Sequence, residues 1–288
     1  MKRIPIALTI AAACALTMTG PVKATDGSAA VRPDVQRQIY FSALDKQGAP
    51  VTDLTAAELT VKEGGKERAI AEVKPATAPM HVALFIDDAG SGSFQVAVAK
   101  FFETLLRQAK FAVSIMNPQP IKVADYTADP GELRAALGRL GQRGKVDVDG
   151  EQIIDAVSGA AKELQQLKAS RPVIVVLTAS GETTISSQSD NTLNVLRASG
   201  ASLHVLYVIN VELGKVLVEG PKQSGGMTQQ VGRGVPVAPV LAKITDVLTN
   251  QYVLTYTIPD GVKLSDRLSL TTSRKDVRLL APTRLPDK

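Results

Sequence analysis

Four near-continuous apolar runs set the strongest limit on what this chain can fold into. They are MHVALFID (80–87), FAVSIMN (111–117), RPVIVVLT (171–178) and SLHVLYVI (202–209). Strands that are apolar on both faces are typical of a parallel sheet covered by helices on each side. Segments with helical periodicity lie between the runs, for example GEQIIDAVSGAAKELQQLK (150–168). This alternation predicts an α/β fold with a doubly wound, mostly parallel sheet flanked by helices.

Two other segments of this region have their own predictions. The stretch Asn117-Pro118-Gln119-Pro120 separates two extended runs, which predicts an antiparallel hairpin at the edge of the sheet. The stretch KQSGGMTQQVGRGV (222–235) is rich in glycine, and we interpret it as a flexible connector rather than a functional loop. A last helix is predicted in VAPVLAKITDVLTNQ (237–251).

The N-terminus has the pattern of a secretory signal peptide. Lys2 and Arg3 precede an apolar stretch, and VKA at 22–24 suits a signal peptidase, so we expect cleavage after Ala24 and export to the periplasm or the exterior. The apolar stretch is too short and too interrupted for a stable membrane anchor, so no membrane span is expected in the mature chain. A lipid anchor at Cys14 is the alternative, although the residues around it are a poor match to a lipidation site.

Composition excludes several function classes. Cys14 is the only cysteine among the 288 residues, so a mature chain without it has no disulfide, thiolate metal site or nucleophilic thiol. The formal net charge is +5, of which Lys2, Arg3 and Lys23 supply three, so the remainder is only weakly basic. Aromatic residues make up 4% and tryptophan is absent, which argues against stacking on bases. We therefore expect no nucleic-acid partner.

Short β-rich runs with turn signals flank the α/β region. Before it, Gly48-Ala49-Pro50 and Gly64-Gly65 separate runs such as LTVKE, which predicts a small β module. After it, YVLTYTI (252–258) and RLSLTTS (267–273) are predicted to pair with each other and to extend that module. The predicted organisation is a signal peptide (1–24), a disordered leader (25–35), a β module (36–78), the α/β domain (79–251) and C-terminal strands with a tail (252–288).

Carboxylates and hydroxyls crowd the loop after the first core strand. This loop reads Asp87-Asp88-Ala89-Gly90-Ser91-Gly92-Ser93, and ligands of such sheets bind beyond the carboxyl ends of the strands. The chain contains only His81 and His204, both near the start of a core strand and so at the opposite end from this loop. A general base for Ser91 or Ser93 is therefore not predicted. The loop matches neither a phosphate-binding loop nor a nucleophile elbow.

The sequence resembles von Willebrand factor type A domains, above all those of a bacterial secreted group. The resemblance rests on APMHVALFIDDAGSGS, QQLKASRPVIVVLTASGE, Ser224-Gly225-Gly226 and LTNQYVLTY, and on the order of elements across about residues 36–280. It implies a small β module before the domain and a strand pair after it. It also implies a protein-binding function and a divalent-cation site built from Asp-x-Ser-x-Ser, a Thr on a second loop and an Asp on a third.

Position by position, the resemblance implies that this cation site is degenerate. Asp87 and Ser91 match the first loop, whereas Ala89 stands where the family has a serine. Glu151 stands at the position of the threonine and Ala179 at that of the third-loop aspartate. Because Mg²⁺ requires about six oxygen ligands, the loss of these oxygens predicts that no metal and no other cofactor binds there.

The predicted function is that of a non-enzymatic, metal-independent module which binds another protein. The loops at 87–93, 144–151 and 178–190 would form the binding face, with Asp88, Ser93, Glu151 and Ser180 as candidate contact residues. A different working surface, such as the edge of the β module, remains open. Two alternatives from other classes are a metal-dependent hydrolase that uses Asp87, Asp88 and Glu151, and an adhesion module whose cation site is rebuilt from Asp88, Glu151 and Ser93.

Overall fold

A computed structural model describes residues 35–117, 119–141, 150–180 and 187–286 of the chain. The predicted signal peptide lies outside these residues, as does all of the predicted leader except Val35. Within the described ranges the chain forms a central sheet with helices on both faces, and two antiparallel sheets built from its first and last segments. No helix in these ranges is both long and apolar enough to cross a bilayer.

The central sheet has six strands in the order β10-β9-β8-β5-β6-β7. All neighbours are parallel except β6 and β7, which form the antiparallel edge hairpin predicted around Asn117. The fold class predicted from the apolar runs is confirmed. The strands are β5 (Met80–Asp87), β6 (Ala109–Asn117), β7 (Gln119–Thr127), β8 (Arg171–Thr178), β9 (Ser202–Val208) and β10 (Thr228–Val231).

Helices cover both faces of this sheet because successive side chains of a strand point to opposite sides. In β5, Val82 and Leu84 pack in one core cluster, whereas Ala83 and Phe85 pack in the other. The first cluster is covered by α1 (Gln95–Leu105), α2 (Pro130–Leu137) and α6 (Val237–Thr249), and the second by α3 (Gly150–Gln166), α4 (Ser189–Ser199) and α5 (Lys215–Ser224).

The predicted flexible connector at 222–235 is wrong. Its first residues belong to α5, and Thr228–Val231 form β10, the sixth strand of the sheet, parallel to β9. The turn between them depends on Gly225, whose φ of +75° suits glycine, and on Gly226, whose N–H donates to the Pro221 carbonyl. The glycines of this segment therefore allow a tight helix-to-strand turn.

The remaining strands form two antiparallel sheets, one in the order β13-β1-β11-β4 and one in the order β12-β2-β3. The predicted pairing of 252–258 with 267–273 is wrong, since β11 lies between β1 and β4 whereas β12 pairs with β2. Both segments do join strands from the N-terminal part. The strands are β1 (Val35–Leu44), β2 (Leu59–Glu63), β3 (Lys66–Arg68), β4 (Ile70–Pro75), β11 (Tyr252–Ile258), β12 (Leu268–Thr272) and β13 (Arg278–Leu280).

The two antiparallel sheets share one apolar core and one buried acid. Phe41, Val61 and Leu254 are among the buried side chains of this third cluster. Glu63 is fully buried and accepts hydrogen bonds from the Tyr256 hydroxyl (2.6 Å), the Ser265 N–H (2.8 Å) and the Arg37 guanidinium (3.2 Å). A buried carboxylate is tolerated when it is paired and hydrogen-bonded in this way. Glu63 thereby links β2 of one sheet to β1 and β11 of the other.

Candidate functional site

The carboxyl edge of the central sheet brings the candidate residues of two loops together. Asp87 ends β5 and lies beside Thr178, which ends the neighbouring strand β8. The loop after β5 contains Asp88, Ala89, Ser91 and Ser93, and the loop after β8 begins with Ala179 and Ser180. Glu151 lies in the first turn of α3, and its side chain is outside the described residues, as are residues 142–149 and 181–186.

The Asp87 carboxylate is saturated by hydrogen bonds from its own chain. Its Oδ2 accepts from the Thr178 hydroxyl (2.7 Å) and the Ser180 N–H (3.0 Å). Its Oδ1 accepts from the Ser180 hydroxyl (3.2 Å) and the Ala89 N–H (3.3 Å). Asp87 is only 1% exposed. Four donors, two of them backbone N–H groups held by the fold, therefore supply the stabilisation that a cation would otherwise give to this buried charge.

Asp88 holds the loop in shape from the inside. Its carboxylate accepts from the N–H groups of Gly90 (3.0 Å) and Gly92 (2.7 Å), and its carbonyl accepts from the Ser91 hydroxyl (2.7 Å). An aspartate that accepts backbone N–H groups further along the chain is a common way to fix a turn. The buried Asp88 is thus a structural member of the loop, and its carboxylate faces its own backbone.

The loop presents two hydroxyls to solvent. Ser91 and Ser93 are both exposed, their hydroxyl oxygens lie 2.8 Å apart, and the Ser93 N–H donates to the Ser91 hydroxyl. Between Asp88 and these serines, Ala89 adopts φ = +50°. This left-handed conformation costs a residue with a Cβ about 1–2 kcal/mol, so the hydrogen bonds of Asp87 and Asp88 hold the loop against that cost.

Neither histidine lies near this edge. His204 is fully buried in β9, where its Nδ1 accepts from the Met227 N–H (3.2 Å) and its Nε2 lies 3.2 Å from the Ser202 hydroxyl. Burial, with a smaller effect of the Arg171 charge, lowers the pKa of His204 to about 3. His81 is the second residue of β5 and lies at the end of the sheet opposite the serines, as predicted, whereas the strand register places His204 level with Val175 and Leu84 in the middle of the sheet.

The sequence analysis named Ser180 only as a candidate contact residue and missed that the hydroxyls of Thr178 and Ser180 bind Asp87. Thr178 and Ser180 follow the apolar run of β8 at the positions where a strand meets its loop, and the strand register places Thr178 opposite Asp87. The signal was available, because two neighbouring parallel strands that both end in polar residues bring those residues together. Among the described residues, no group of three or more His, Cys, Asp or Glu side chains is placed to hold a metal ion.

No protein-family model matches the sequence, and no curated protein does either. Similar solved structures include a von Willebrand factor type A protein from Catenulispora acidiphila, with 13% identity and a TM-score of 0.49 over 90% of this chain and 75% of that one. Another is proximal thread matrix protein 1 of the mussel byssus, whose structure has a zinc-occupied MIDAS motif. It has 11% identity and a TM-score of 0.45 over 65% of this chain, which spans about half (49%) of that protein's length.

A third similar structure is the von Willebrand A domain of SpRpn10, with 11% identity and a TM-score of 0.42 over 59% of this chain and 94% of that one. Two of these three proteins are thus von Willebrand A domains, the family that the sequence resembles. Identities of this size concern the fold alone.

Proposed function

We propose that the chain is a non-enzymatic module that binds another protein through the carboxyl edge of its central sheet, without a bridging metal ion. The observation that carries the proposal is the saturation of Asp87 by Thr178, Ser180 and Ala89. A cation at this carboxylate would have to displace the backbone N–H donors of Ser180 and Ala89, which lie in the loops just after the two strands. Recognition then rests on shape, apolar contact and hydrogen bonding rather than on shared coordination.

The hydroxyls of the loop are arranged for recognition rather than for catalysis. Ser91 donates to the Asp88 carbonyl and lies against Ser93, so its proton is not directed at a general base. An activated serine needs a base within hydrogen-bond reach, and neither histidine is so placed, since His81 lies at the other end of the sheet and His204 is buried in its middle. This arrangement supports a binding module over a hydrolase that uses Asp87, Asp88 and Glu151.

Two exposed valines add an apolar component to this edge. Val96 is 78% exposed in the first turn of α1, directly after the serine loop, and Val235 is 46% exposed between β10 and α6. Helices α1 and α6 cover the same face of the sheet and contact each other. We propose that these valines flank the contact surface. Ser93 meets the partner directly, Asp88 keeps the loop in shape, and Glu151 and Ser180 complete the face.

The same proposal includes export of the mature chain to the periplasm or the exterior, based on the signal-peptide pattern of residues 1–24.

The first prediction is that divalent cations leave the stability of the protein unchanged. The melting temperature should differ by less than about 1 °C between EDTA and excess Mg²⁺ or Mn²⁺, as followed by circular dichroism. A cation at 100 times its dissociation constant would stabilise the fold by about 2.7 kcal/mol. For a chain of this size that means several degrees, at about 2–4 °C per kcal/mol.

A double variant, Ala89→Ser with Ala179→Asp, is the positive control because it returns two oxygen ligands to the site. We expect it to gain a Mg²⁺-dependent rise in melting temperature. A rise of several degrees in the unmodified protein that disappears in Asp87→Ala would contradict the proposal.

The second prediction concerns Ser93. The purified protein, immobilised in EDTA, should retain a partner from a periplasmic or extracellular extract, and Ser93→Arg should reduce that retention at least about fivefold. A new, large cation at the centre of the proposed face removes shape complementarity, and such losses commonly exceed 1 kcal/mol at central contact positions. The retained proteins are identified by mass spectrometry and quantified for each variant.

The matched control is Thr104→Arg, which introduces the same charge at an exposed hydroxyl residue near the other end of α1. Equal retention by both variants would place the working surface elsewhere, for example at the edge of the antiparallel sheets.

A further inference from the structure

A cavity lies at the opposite edge of the central sheet from the loop of Ser91 and Ser93. It has a volume of about 550 Å³ and is bounded by the last turns of α3 and α4, the first residues of β8 and β9, the middle of β1 and the chain at 282–286. We call it the amino-edge cleft. Its volume is within the range of about 300–1,000 Å³ of sites that bind small molecules.

The side chains that line the amino-edge cleft include four cations, Lys168, Arg171, Arg197 and Arg284, and no aspartate or glutamate. Arg197 and Arg284 share the carboxylate of Asp266, at 3.3 and 2.5 Å. Within the described part of the chain, neither Lys168 nor Arg171 forms an ion pair with any acid. The cleft therefore has an excess of positive charge on the side formed by these two residues.

Arg171 is the most deeply buried of these cations, and it is only 1% exposed. Its Nε donates to Gln251 Oε1 (2.9 Å), and its two Nη atoms donate to the carbonyls of Leu248 and, at 3.5 Å, Ala76. The guanidinium carbon also lies 5.7 Å from the centre of the Tyr40 ring. All of these partners are neutral, so the charge of a buried guanidinium is left without a counter-ion.

A guanidinium has five N–H donors, and the contacts above use three of them. Burial lowers the pKa of Arg171 to about 10, which reflects the cost of keeping this charge away from water. Binding an anion would offset that cost and would use the remaining donors, since a carboxylate matches the geometry of a guanidinium in a bidentate manner.

Much of the rest of the cleft is apolar, and two of its hydroxyls are already hydrogen-bonded. Leu193, Leu196, Leu285 and Pro286 supply hydrocarbon surface. The hydroxyls of Ser199 and Ser224 donate to backbone carbonyls of their own helices, at 2.7 Å each, so they are not free donors for the several oxygens of a phosphate. The lining thus combines a cationic end with a hydrocarbon wall.

We propose that the amino-edge cleft binds a small monocarboxylate with a hydrocarbon body. The carboxylate lies against Arg171 and Lys168, and the hydrocarbon body lies against the leucines. This site is independent of the proposed protein-binding face, because the two lie at opposite ends of the parallel strands.

Octanoate is the probe, and octanol and inorganic phosphate are its matched comparisons. In calorimetric titrations of the purified protein, octanoate should bind saturably with one site per chain, at least about tenfold more tightly than octanol, since a hydrogen-bonded charge contributes about that factor. Phosphate should not compete with it. In NMR spectra, octanoate should shift the backbone amides of 197–202 and 223–224 and leave those of 87–93 unchanged. Equal affinities for octanoate and octanol, or displacement by phosphate, would overturn the proposal.

Charge reversals of two exposed lysines, one in α3 and one in the turn after it, test the cationic end without disturbing the core. Lys168→Glu should weaken octanoate binding about fivefold, the order expected for an exposed charge at a rim. Lys168 lies in the turn that follows α3, whereas Lys162→Glu makes the same change on an exposed residue of α3 itself, outside the cleft, and should leave the affinity unchanged. Equal effects of the two variants, or none for Lys168→Glu, would contradict the assignment.

Discussion

Replacement of Gly226 by alanine is expected to unfold the protein or to lower its melting temperature by more than about 10 °C, the effect of a loss of at least about 4 kcal/mol. A Cβ at this position would lie 1.7 Å from the Leu203 carbonyl oxygen and 2.6 Å from its carbon. Both atoms belong to the backbone of β9, so no side-chain rotation relieves the overlap. The turn would have to move away, with loss of the β9–β10 pairing and of the bond from the Met227 N–H to His204.

The control is the same substitution at Gly159, which is exposed in the middle of α3 and has open space where a Cβ would lie. Alanine there should raise stability by about 0.5–1 kcal/mol because it favours the helix. Thermal and urea unfolding, followed by circular dichroism, give both values. If Gly226→Ala melted within a few degrees of the parent protein, the position of β10 against β9 would be refuted.

Arg171→Leu is expected to have the second-largest effect, a loss of about 2–4 kcal/mol from buried acceptors left without donors. Two effects oppose each other at this site. Leucine removes an uncompensated buried charge, which alone would stabilise the fold. However, it also leaves the carbonyls of Leu248 and Ala76 and the Gln251 amide oxygen without the donor that they now share, and it removes the contact with Tyr40. We expect the loss to dominate, because these acceptors join two segments that are far apart in sequence, Ala76 and the stretch 248–251.

The melting temperature of Arg171→Leu should therefore fall by about 5–15 °C, at about 2–4 °C per kcal/mol. Arg107→Leu is the matched control, since Arg107 is exposed in the turn after α1, and its change should stay within about 0.5 kcal/mol. Hydrogen exchange would show where the structure is weakened. The amides of β1 and β11 should lose more protection from exchange than those of β5 and β8. An unchanged or higher melting temperature would show that the cost of the buried charge is the larger effect.

The near-continuous apolar runs predicted four strands of the central sheet, because strands buried on both faces are apolar at almost every position. The segments with helical periodicity between them predicted the flanking helices. Strand β10 escaped prediction because TQQV lies at the sheet edge, where only Val231 needs to be buried. The pairing of β11 with β1 and β4 was also missed. It joins segments that are far apart in sequence, and alternating polarity alone does not specify which strand is the neighbour.

Within the candidate site, the sequence predicted where Asp87, Ala89 and Ser91 would lie but not how Asp87 would be satisfied. Its position followed from the end of an apolar strand. Thr178 and Ser180 can donate to Asp87 only because β8 lies next to β5 in a register that places Thr178 opposite Asp87. The choice of neighbouring strand and its register are set by tertiary packing. From the sequence, Arg171 was only the first residue of a predicted strand. Its hydrogen bonds to Ala76, Leu248 and Gln251 depend on tertiary packing, which a local sequence pattern does not specify.

The interleaving of the first and last segments has a consequence for the order of folding. Gln38 of β1 and Thr255 of β11 are 217 residues apart, and closing a loop of that length in an unfolded chain costs about 5 kcal/mol of entropy. Once the parallel sheet has formed, β4 and β11 leave it side by side, with the Ala76 N–H bonded to the Gln251 carbonyl, so their pairing closes almost no loop. Strand β1 can then add to β11. Strand β1 is the first strand of the described chain to be synthesised, and it is therefore expected to pair last.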